Sequence, residues 1–262
     1  MKRWAPWALA GVVIGAVPAA VAFAPAAWLA GALADATDQR LLLADARGTI
    51  WHGSAVLVLT AGVGSRDASA LPGRLQWQLG LDGAAVRLRA RQDCCINGEM
   101  SLRVVPGLGR LRVELPGGAG PIGQWPAAWL VGLGTPWNTV QPSGTLQLSS
   151  PGVVLEQVQG RWRFSGSAQI DLAGFASRLS TLDALGSYRL TISGDAARGD
   201  ATTLALSTLE GALQLSGTGQ FTASRFSFNG LASAAPGSEQ ALANLLNIIG
   251  RRRGASSVIS IG

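Results

Sequence analysis

The sequence predicts a mainly β protein: an antiparallel, twisted or curved sheet with a few short helices, preceded by one N-terminal transmembrane helix. Two observations predict the sheet. Glycine is abundant, with 35 residues, and many short apolar stretches, several alternating strictly with polar residues, are separated by Gly, Pro and Ser. A third observation predicts the helix. Residues 4–34 carry no charged side chain, and about 20 apolar residues suffice to cross a bilayer.

The charges that flank the apolar run predict its orientation. Lys2 and Arg3 precede the run and Asp35 ends it. Because cationic residues stay on the cytoplasmic side, we expect a cytoplasmic N-terminus and an exported body. Three tryptophans lie towards the ends of the run, where amphipathic aromatic rings anchor a helix at the membrane interfaces: Trp4, Trp7 and Trp28.

A cleaved signal peptide is the alternative interpretation of the same segment. Residues 20–22 read Ala-Val-Ala, which is a small-x-small cleavage site. We favour an uncleaved anchor because the apolar run is longer than a signal requires and continues past this site. The predicted organisation is a cytoplasmic tip and anchor over residues 1–34 and a β-rich domain over residues 35–262. That domain divides into halves 35–116 and 144–262, joined by residues 117–143.

The first half reads as hairpin-linked strands. Residues 74–79 and 85–91 alternate polar and apolar, and Asp82-Gly83 between them is a hairpin signal. Residues 100–104 and 111–115 form a second such pair. Four strands joined in this way predict an antiparallel meander with one solvated face.

The middle of the chain changes character. Pro126 begins a short apolar segment that predicts a helix over residues 126–131. We expect this helix to pack on the sheet, with contact to the bilayer surface as the alternative. Trp137 follows in a turn-rich connector, where we expect it to fill the core. Trp129 and Trp137 are candidate interaction residues.

The last part returns to strands and ends near a helix. Strands are predicted over 144–149, 153–158 and 220–228. Apolar residues recur at helical spacing over 239–249, and Gly250 is a natural C-terminal cap. Three cations follow this helix, either as solvated charges or as contacts to acidic headgroups or an acidic partner: Arg251, Arg252 and Arg253.

No arrangement of residues predicts catalysis, a metal site or a cofactor. His52 is the only histidine, and no acid lies within residues 48–54 to orient it. No Cys-x-x-Cys or Asp-x-Asp pair is present, and no glycine-rich segment continues into a phosphate-binding loop. The net charge of +6 comes from scattered arginines, which argues against nucleic-acid binding. We therefore expect a protein that is not an enzyme.

The two cysteines, Cys94 and Cys95, are adjacent. Neighbouring residues on a strand point to opposite faces, so the first interpretation is one buried and one exposed thiol. A disulfide between neighbours requires a distorted backbone, and an oxidising compartment outside the cytoplasm allows it as the alternative.

Several segments resemble one known family over essentially the full length. They include Gly-Thr-Ile-Trp-His-Gly-Ser at 48–54, Gly-Thr-Pro-Trp-Asn-Thr at 134–139 and the repeated Pro-Ala-Ala-Trp-Leu at 25–29 and 126–130. The chain resembles protein N of the bacterial type II secretion system. The resemblance implies a non-catalytic accessory subunit of the inner membrane. It would pass the membrane once, face the periplasm and associate with proteins L and M, and with protein C.

A second hypothesis belongs to a different class. Long alternating strands with few charges also look like AsmA-type periplasmic modules, in which an apolar sheet face carries membrane lipid. The discriminating feature is that apolar face. An open groove favours lipid binding, whereas helices near 127–132 and 239–249 that cover it favour a docking module.

Overall fold

A single sheet organises the chain. A computed structural model describes residues 16, 19–118, 120–195, 201–222 and 225–262, and within them 16 strands form one sheet. The predicted mainly β, antiparallel architecture with few short helices is confirmed. Across the described residues no helix has both the length and the apolar character needed to cross a membrane. Trp4 and Trp7 lie outside the described residues.

The sheet begins beside a helix that packs on its face. The elements are helix α1 (Ala26–Ala36), then strands β1 (Leu41–Gly48), β2 (His52–Thr60) and the short β3 (Ala68–Ala70). Buried Ala26 of α1 clusters with Leu43, Ala55 and Trp77 of the strands. Residues 26–34 of the uncharged run therefore lie in a helix on the sheet, and Trp28 on this helix is 61 % exposed.

The predicted meander is confirmed. Its strands are β4 (Leu75–Asp82), β5 (Ala85–Arg91), β6 (Met100–Gly107) and β7 (Arg110–Pro116). Asp82 pairs with Ala85 across the β4–β5 turn. Gly83 occupies that turn at a φ of +64°, a conformation that glycine adopts without steric cost.

The middle segment contributes to the sheet as well as covering it. It contains strand β8 (Pro121–Pro126), a 3₁₀ helix η1 (Ala127–Leu133) and a short helix α2 (Trp137–Val140). The helix predicted at residues 126–131 is thus present in 3₁₀ form. It packs on the sheet as expected, since the Trp129 indole Nε1 donates a hydrogen bond to the Ser69 carbonyl, 3.0 Å away. Strand β8 was not predicted.

Two long strands occupy the centre: β9 (Pro142–Val158) and β10 (Arg161–Ser177). The prediction of separate strands at 144–149 and 153–158 is wrong, because β9 continues through Pro151. The buried Ser150 hydroxyl donates to the Ser167 carbonyl at 2.6 Å and accepts from the Gly152 N–H at 3.0 Å. These bonds replace ladder bonds at the point where the proline has no N–H to give.

A second meander follows. Its strands are β11 (Gly186–Gly194), β12 (Thr202–Glu210), β13 (Leu213–Phe221) and β14 (Phe226–Ala234). The strand predicted over residues 220–228 is wrong, because that segment contains the β13–β14 turn. Phe221 pairs with Phe226, and the Thr222 N–H donates to the Arg225 carbonyl at 2.9 Å.

The chain closes with helix α3 (Glu239–Ile249) and strands β15 (Arg251–Arg253) and β16 (Ser256–Ile261). Helix α3 confirms the helix predicted from the apolar spacing. Gly250 follows it as predicted, but its φ of −170° is extended rather than left-handed. The reason is that the chain passes directly from the helix into β15.

The strands have a simple order, β1-β2-β4-β5-β6-β7-β9-β10-β11-β12-β13-β14-β16-β15, with β3 on β2 and β8 on β9. Because neighbours are antiparallel, the turns 49–51, 83–84, 108–109 and 159–160 share one end of the sheet with Thr222 and Arg225, and we call it the rim end. Helix α3 and the loop 178–185 lie at the other, which we call the helix end. The N-terminal segment reaches the rim end, where the Ile50 N–H donates to the Ala24 carbonyl at 2.9 Å.

Candidate interaction surface on the apolar face of the sheet

The strand register gathers apolar side chains on one face of the sheet. Directly paired residues of antiparallel strands share a face, as do alternate residues along each strand. A continuous row of paired residues crosses the sheet from β4 to β10 in the order Leu81, Val86, Val104, Val113, Leu155 and Phe164. We call the face that carries this row the apolar face.

The same face continues across the second meander. Ile170 pairs with Leu190, and Leu190 pairs with Leu206. By the same alternation the apolar face of β11–β14 also holds Tyr188, Ile192, Leu204, Leu213, Leu215, Phe221, Phe226 and Phe228. The sheet is therefore amphipathic over most of its width.

Charged residues occupy the opposite face of the first meander. The Arg103 guanidinium lies 3.5 Å from the Asp82 carboxylate and 3.4 Å from the Glu114 carboxylate. Arg87 adds a 2.6 Å contact to Asp82, and Arg112 a 2.7 Å contact to Glu114. The hydrogen bond from Arg112, with a further one from Arg103, lowers the pKa of Glu114. These ion pairs form a solvated network, so the apolar face is the side of the sheet that is available for burial.

The same polar face contains a cavity of about 610 Å³ near the β1–β2 hairpin. His52 and Arg47 line it, together with Arg74. Arg74 and Arg47 each lie 2.8 Å from the Asp45 carboxylate, and their hydrogen bonds, that of Arg74 foremost, lower the pKa of Asp45. The arginines are therefore engaged with an acid of this chain. His52 has no carboxylate partner among the described hydrogen bonds, so the geometry supplies no triad.

At the helix end, helix α3 covers the apolar face. Leu242, Leu245 and Leu246 of this helix pack on Leu213 and Ala232. Burial raises the pKa of Tyr188, which lies in the same cluster. Over β1, β2 and β4 the corresponding cover is α1.

At the rim end the apolar face stays open over its central and C-terminal strands. Its side chains there are large and exposed: Leu155 36 %, Trp162 45 %, Phe221 52 % and Phe226 38 %. A groove of about 260 Å³ runs across these strands from β9 to β14. The sequence raised an open apolar face as the mark of lipid binding but could not place it, since alternation shows which residues share a face and not which part of that face is covered.

The predicted interaction residues do not come together. Trp129 of η1 is half-buried against the Ser69 carbonyl near β3. Trp137 begins α2 and is half-buried rather than part of the buried core. Arg251, Arg252 and Arg253 form β15, at the last position in the strand order. They are exposed, and the Arg252 Nε donates to the Gly254 carbonyl at 2.9 Å.

The adjacent cysteines lie in the loop between β5 and β6. A disulfide joins Cys94 to Cys95 in this structure. Cys95 is buried and its carbonyl accepts the Gln124 N–H at 2.8 Å. This hydrogen bond ties the loop to β8. Among the described residues no group of three or more metal-binding side chains is present.

The described residues thus form an open antiparallel sheet with a charged face and a partly uncovered apolar face. The chain belongs to the type II secretion system protein N family, whose model matches residues 39–261. This family consists of accessory secretion components. Searches of curated proteins and of solved structures find no match for the chain.

Proposed function

We propose that the protein is a non-catalytic accessory subunit of the type II secretion system in the inner membrane. It docks with the assembly platform from the periplasmic side and so supports export of folded proteins. Proteins L and M, and protein C, are the proposed partners. The observation that carries this proposal is the family match over residues 39–261.

The N-terminal segment supplies the proposed membrane attachment. Residues 4–24 are uncharged, and about 20 residues suffice for a span. The Trp51 indole Nε1 donates to the Val21 carbonyl at 2.8 Å, so this segment meets the sheet at the β1–β2 turn. The membrane would adjoin the rim end of the first strands, with the N-terminus in the cytoplasm and the sheet in the periplasm.

The proposed docking surface is the outer edge of β16. Strand β15 pairs only with residues 256–258, and no described strand pairs with the outer edge of residues 259–261. Ile261 is 51 % exposed, and these three residues contain no charge, proline or bulge that would resist strand addition. The opposite edge, β1, is less suitable because its register shifts between Ala44 and Arg47 and Asp45 there is charged.

The β15 arginines extend this docking surface. Arg251 and Arg253 are exposed, and no described acidic side chain lies in ion-pair distance of either. An acidic strand or loop of a platform subunit would therefore find both an unpaired backbone edge and two available cations.

Site-specific photocrosslinking tests this proposal in cells that express the other secretion subunits. We expect a photoreactive residue at Ser260 to crosslink to a platform subunit, because Ser260 lies on the unpaired edge. The same residue at Ser193, half-buried on the polar face of β11, is the control at a paired strand. Crosslinks from neither position, in protein shown to be membrane-inserted, would contradict the proposal.

A further inference from the structure

We infer that the open groove on the apolar face binds the acyl chain of a phospholipid. The groove is lined on β9–β11 by Leu155, Trp162, Phe164 and Ile192, and on β12–β14 by Leu204, Phe221 and Phe226. Thr202 and Thr222 are its polar members, and none of the described lining residues is charged. Such a lining fits a hydrocarbon ligand.

The absence of hydrogen-bonding partners favours a lipid over a peptide. The groove floor is formed by strands whose backbone groups bond one another in the ladder. The Thr222 hydroxyl already donates to the Arg225 carbonyl at 3.1 Å. An extended peptide segment would bury N–H and C=O groups there without partners, which is costly. An acyl chain has no such groups to satisfy.

The dimensions of the groove also fit an acyl chain. It spans neighbouring strands from β9 to β14, and five spacings of about 4.8 Å give a length of about 24 Å. One leaflet of a bilayer fills about 15 Å of a hydrocarbon core about 30 Å thick, so the groove is long enough for one chain.

Two arginines at the rim supply a partner for the phosphate. Arg161 directly precedes Trp162 at the β9–β10 turn, and Arg225 directly precedes Phe226 at the β13–β14 turn. Both are exposed, and no described acidic side chain lies in ion-pair distance of either. As neighbours of Trp162 and Phe226, both arginines leave the strands on the side opposite the groove, so a headgroup would meet them only at the rim itself, where the strands end. Arginine binds phosphate through charge-assisted hydrogen bonds, so a lipid with its chain in the groove would place its headgroup at this rim.

Photolabelling of the full chain in proteoliposomes tests the inference. The probe is phosphatidylglycerol with a diazirine on its acyl chain, and labelled peptides are mapped by mass spectrometry. We expect labels on peptides that contain Leu204 and Phe226 in addition to labels on residues 4–24. Leu204→Gln places an amide in the groove and should reduce its labelling about tenfold.

Ala205→Gln is the matched control, because Ala205 is the exposed neighbour of Leu204 on the opposite face of β12. It should leave labelling of the groove unchanged. The double variant Arg161→Glu, Arg225→Glu should weaken labelling, whereas Arg251→Glu, Arg253→Glu should not.

Labels confined to residues 4–24, or equal labelling of Leu204→Gln and Ala205→Gln, would overturn the inference. A groove that instead crosslinks to a co-purified polypeptide would also overturn it. The liposomes contain no other secretion subunit, so neither result bears on the docking proposal. That proposal is tested separately by photocrosslinking at Ser260 in cells.

Discussion

The phenol of Tyr188 donates a hydrogen bond to the carbonyl of Leu213, 2.9 Å away, in the core beneath helix α3. Tyr188 is 4 % exposed and packs edge-on against Phe175 at a ring-centroid distance of 5.9 Å. This contact ties β11 to β13 across β12. The helix end of the apolar face is thus closed by specific side-chain contacts, while the rim end is open.

Removing this hydrogen bond should weaken the protein measurably. We expect Tyr188→Phe to lower the free energy of unfolding by about 1 kcal/mol, because a buried carbonyl loses its donor. Urea unfolding of the detergent-solubilised full chain measures the change. Ser193→Ala removes a solvent-exposed hydrogen bond to the Thr203 hydroxyl on the polar face of the same strand and should lower it by less than about 0.5 kcal/mol.

Burial of Tyr188 also predicts a pH dependence. The pKa of this tyrosine is raised by desolvation, so the folded state holds the phenol proton more tightly than the unfolded state does. Its contribution to stability is complete below pH about 10, where the unfolded phenol titrates, and is lost as the pH rises further.

Tyr188 is the only tyrosine, so tyrosinate absorbance reports this group alone. We expect the absorbance to appear together with loss of the β circular-dichroism signal. Tyrosinate that forms at pH 10 in a fully folded protein would show that the phenol is solvated.

Helix α3 should depend on its buried leucines. Leu246 is 1 % exposed and Ile248 on the same helix is 61 % exposed. We expect Leu246→Ala to cost about 2–5 kcal/mol because it opens a cavity against the sheet, and Ile248→Ala to cost below about 1 kcal/mol. Equal losses in urea unfolding would indicate that the helix does not pack as described.

The close approach of Gly53 to Trp77 should not tolerate a side chain. A Cβ at Gly53 would lie 2.4 Å from the Trp77 ring and 2.8 Å from the Thr49 carbonyl oxygen. We expect Gly53→Ala to cost about 1–3 kcal/mol, as overpacking does. Gly80→Ala is the matched control, because nothing lies within 4 Å of its Cβ position.

The adjacent cysteines offer a chemical test. With the Cys94–Cys95 disulfide in place, intact mass spectrometry without reductant should show two hydrogens fewer than the reduced chain. Alkylation before reduction should modify neither cysteine, whereas Cys94→Ser should leave one thiol that reacts after unfolding. An alkylated cysteine in the unreduced wild-type protein would exclude the ring.

Local alternation was sufficient to predict much of the sheet. In residues 85–91 and 100–104, polar side chains on one face of the sheet alternate with apolar side chains on the other. The pattern therefore predicted both the strands and the face on which each side chain lies. The same signal failed at residues 220–228. There Phe226 and Phe228 alternate out of phase with Phe221, five residues earlier, and the prediction did not treat this change of phase as the end of a strand.

Other features depend on contacts between distant residues. Pro151 and Gly152 read as a strand end, but β9 continues there through a shift in its register with β10 between Ser167 and Gln169, where the Ser150 hydroxyl donates to the Ser167 carbonyl. The position of the groove also could not be predicted from the sequence. Leu155 and Phe226 line one surface only because of the order of the strands that lie between them. Which part of an amphipathic sheet a helix covers is a tertiary property.

The proposed role depends most on the location of the sheet outside the cytoplasm. Alkaline phosphatase fused after Gly262 of the full chain, with a fluorescent protein at the same position as the paired reporter, measures this location directly. We predict high phosphatase activity and a dark fluorescent protein in bacteria that carry the secretion system. Inactive phosphatase with bright fluorescence would contradict the proposed role.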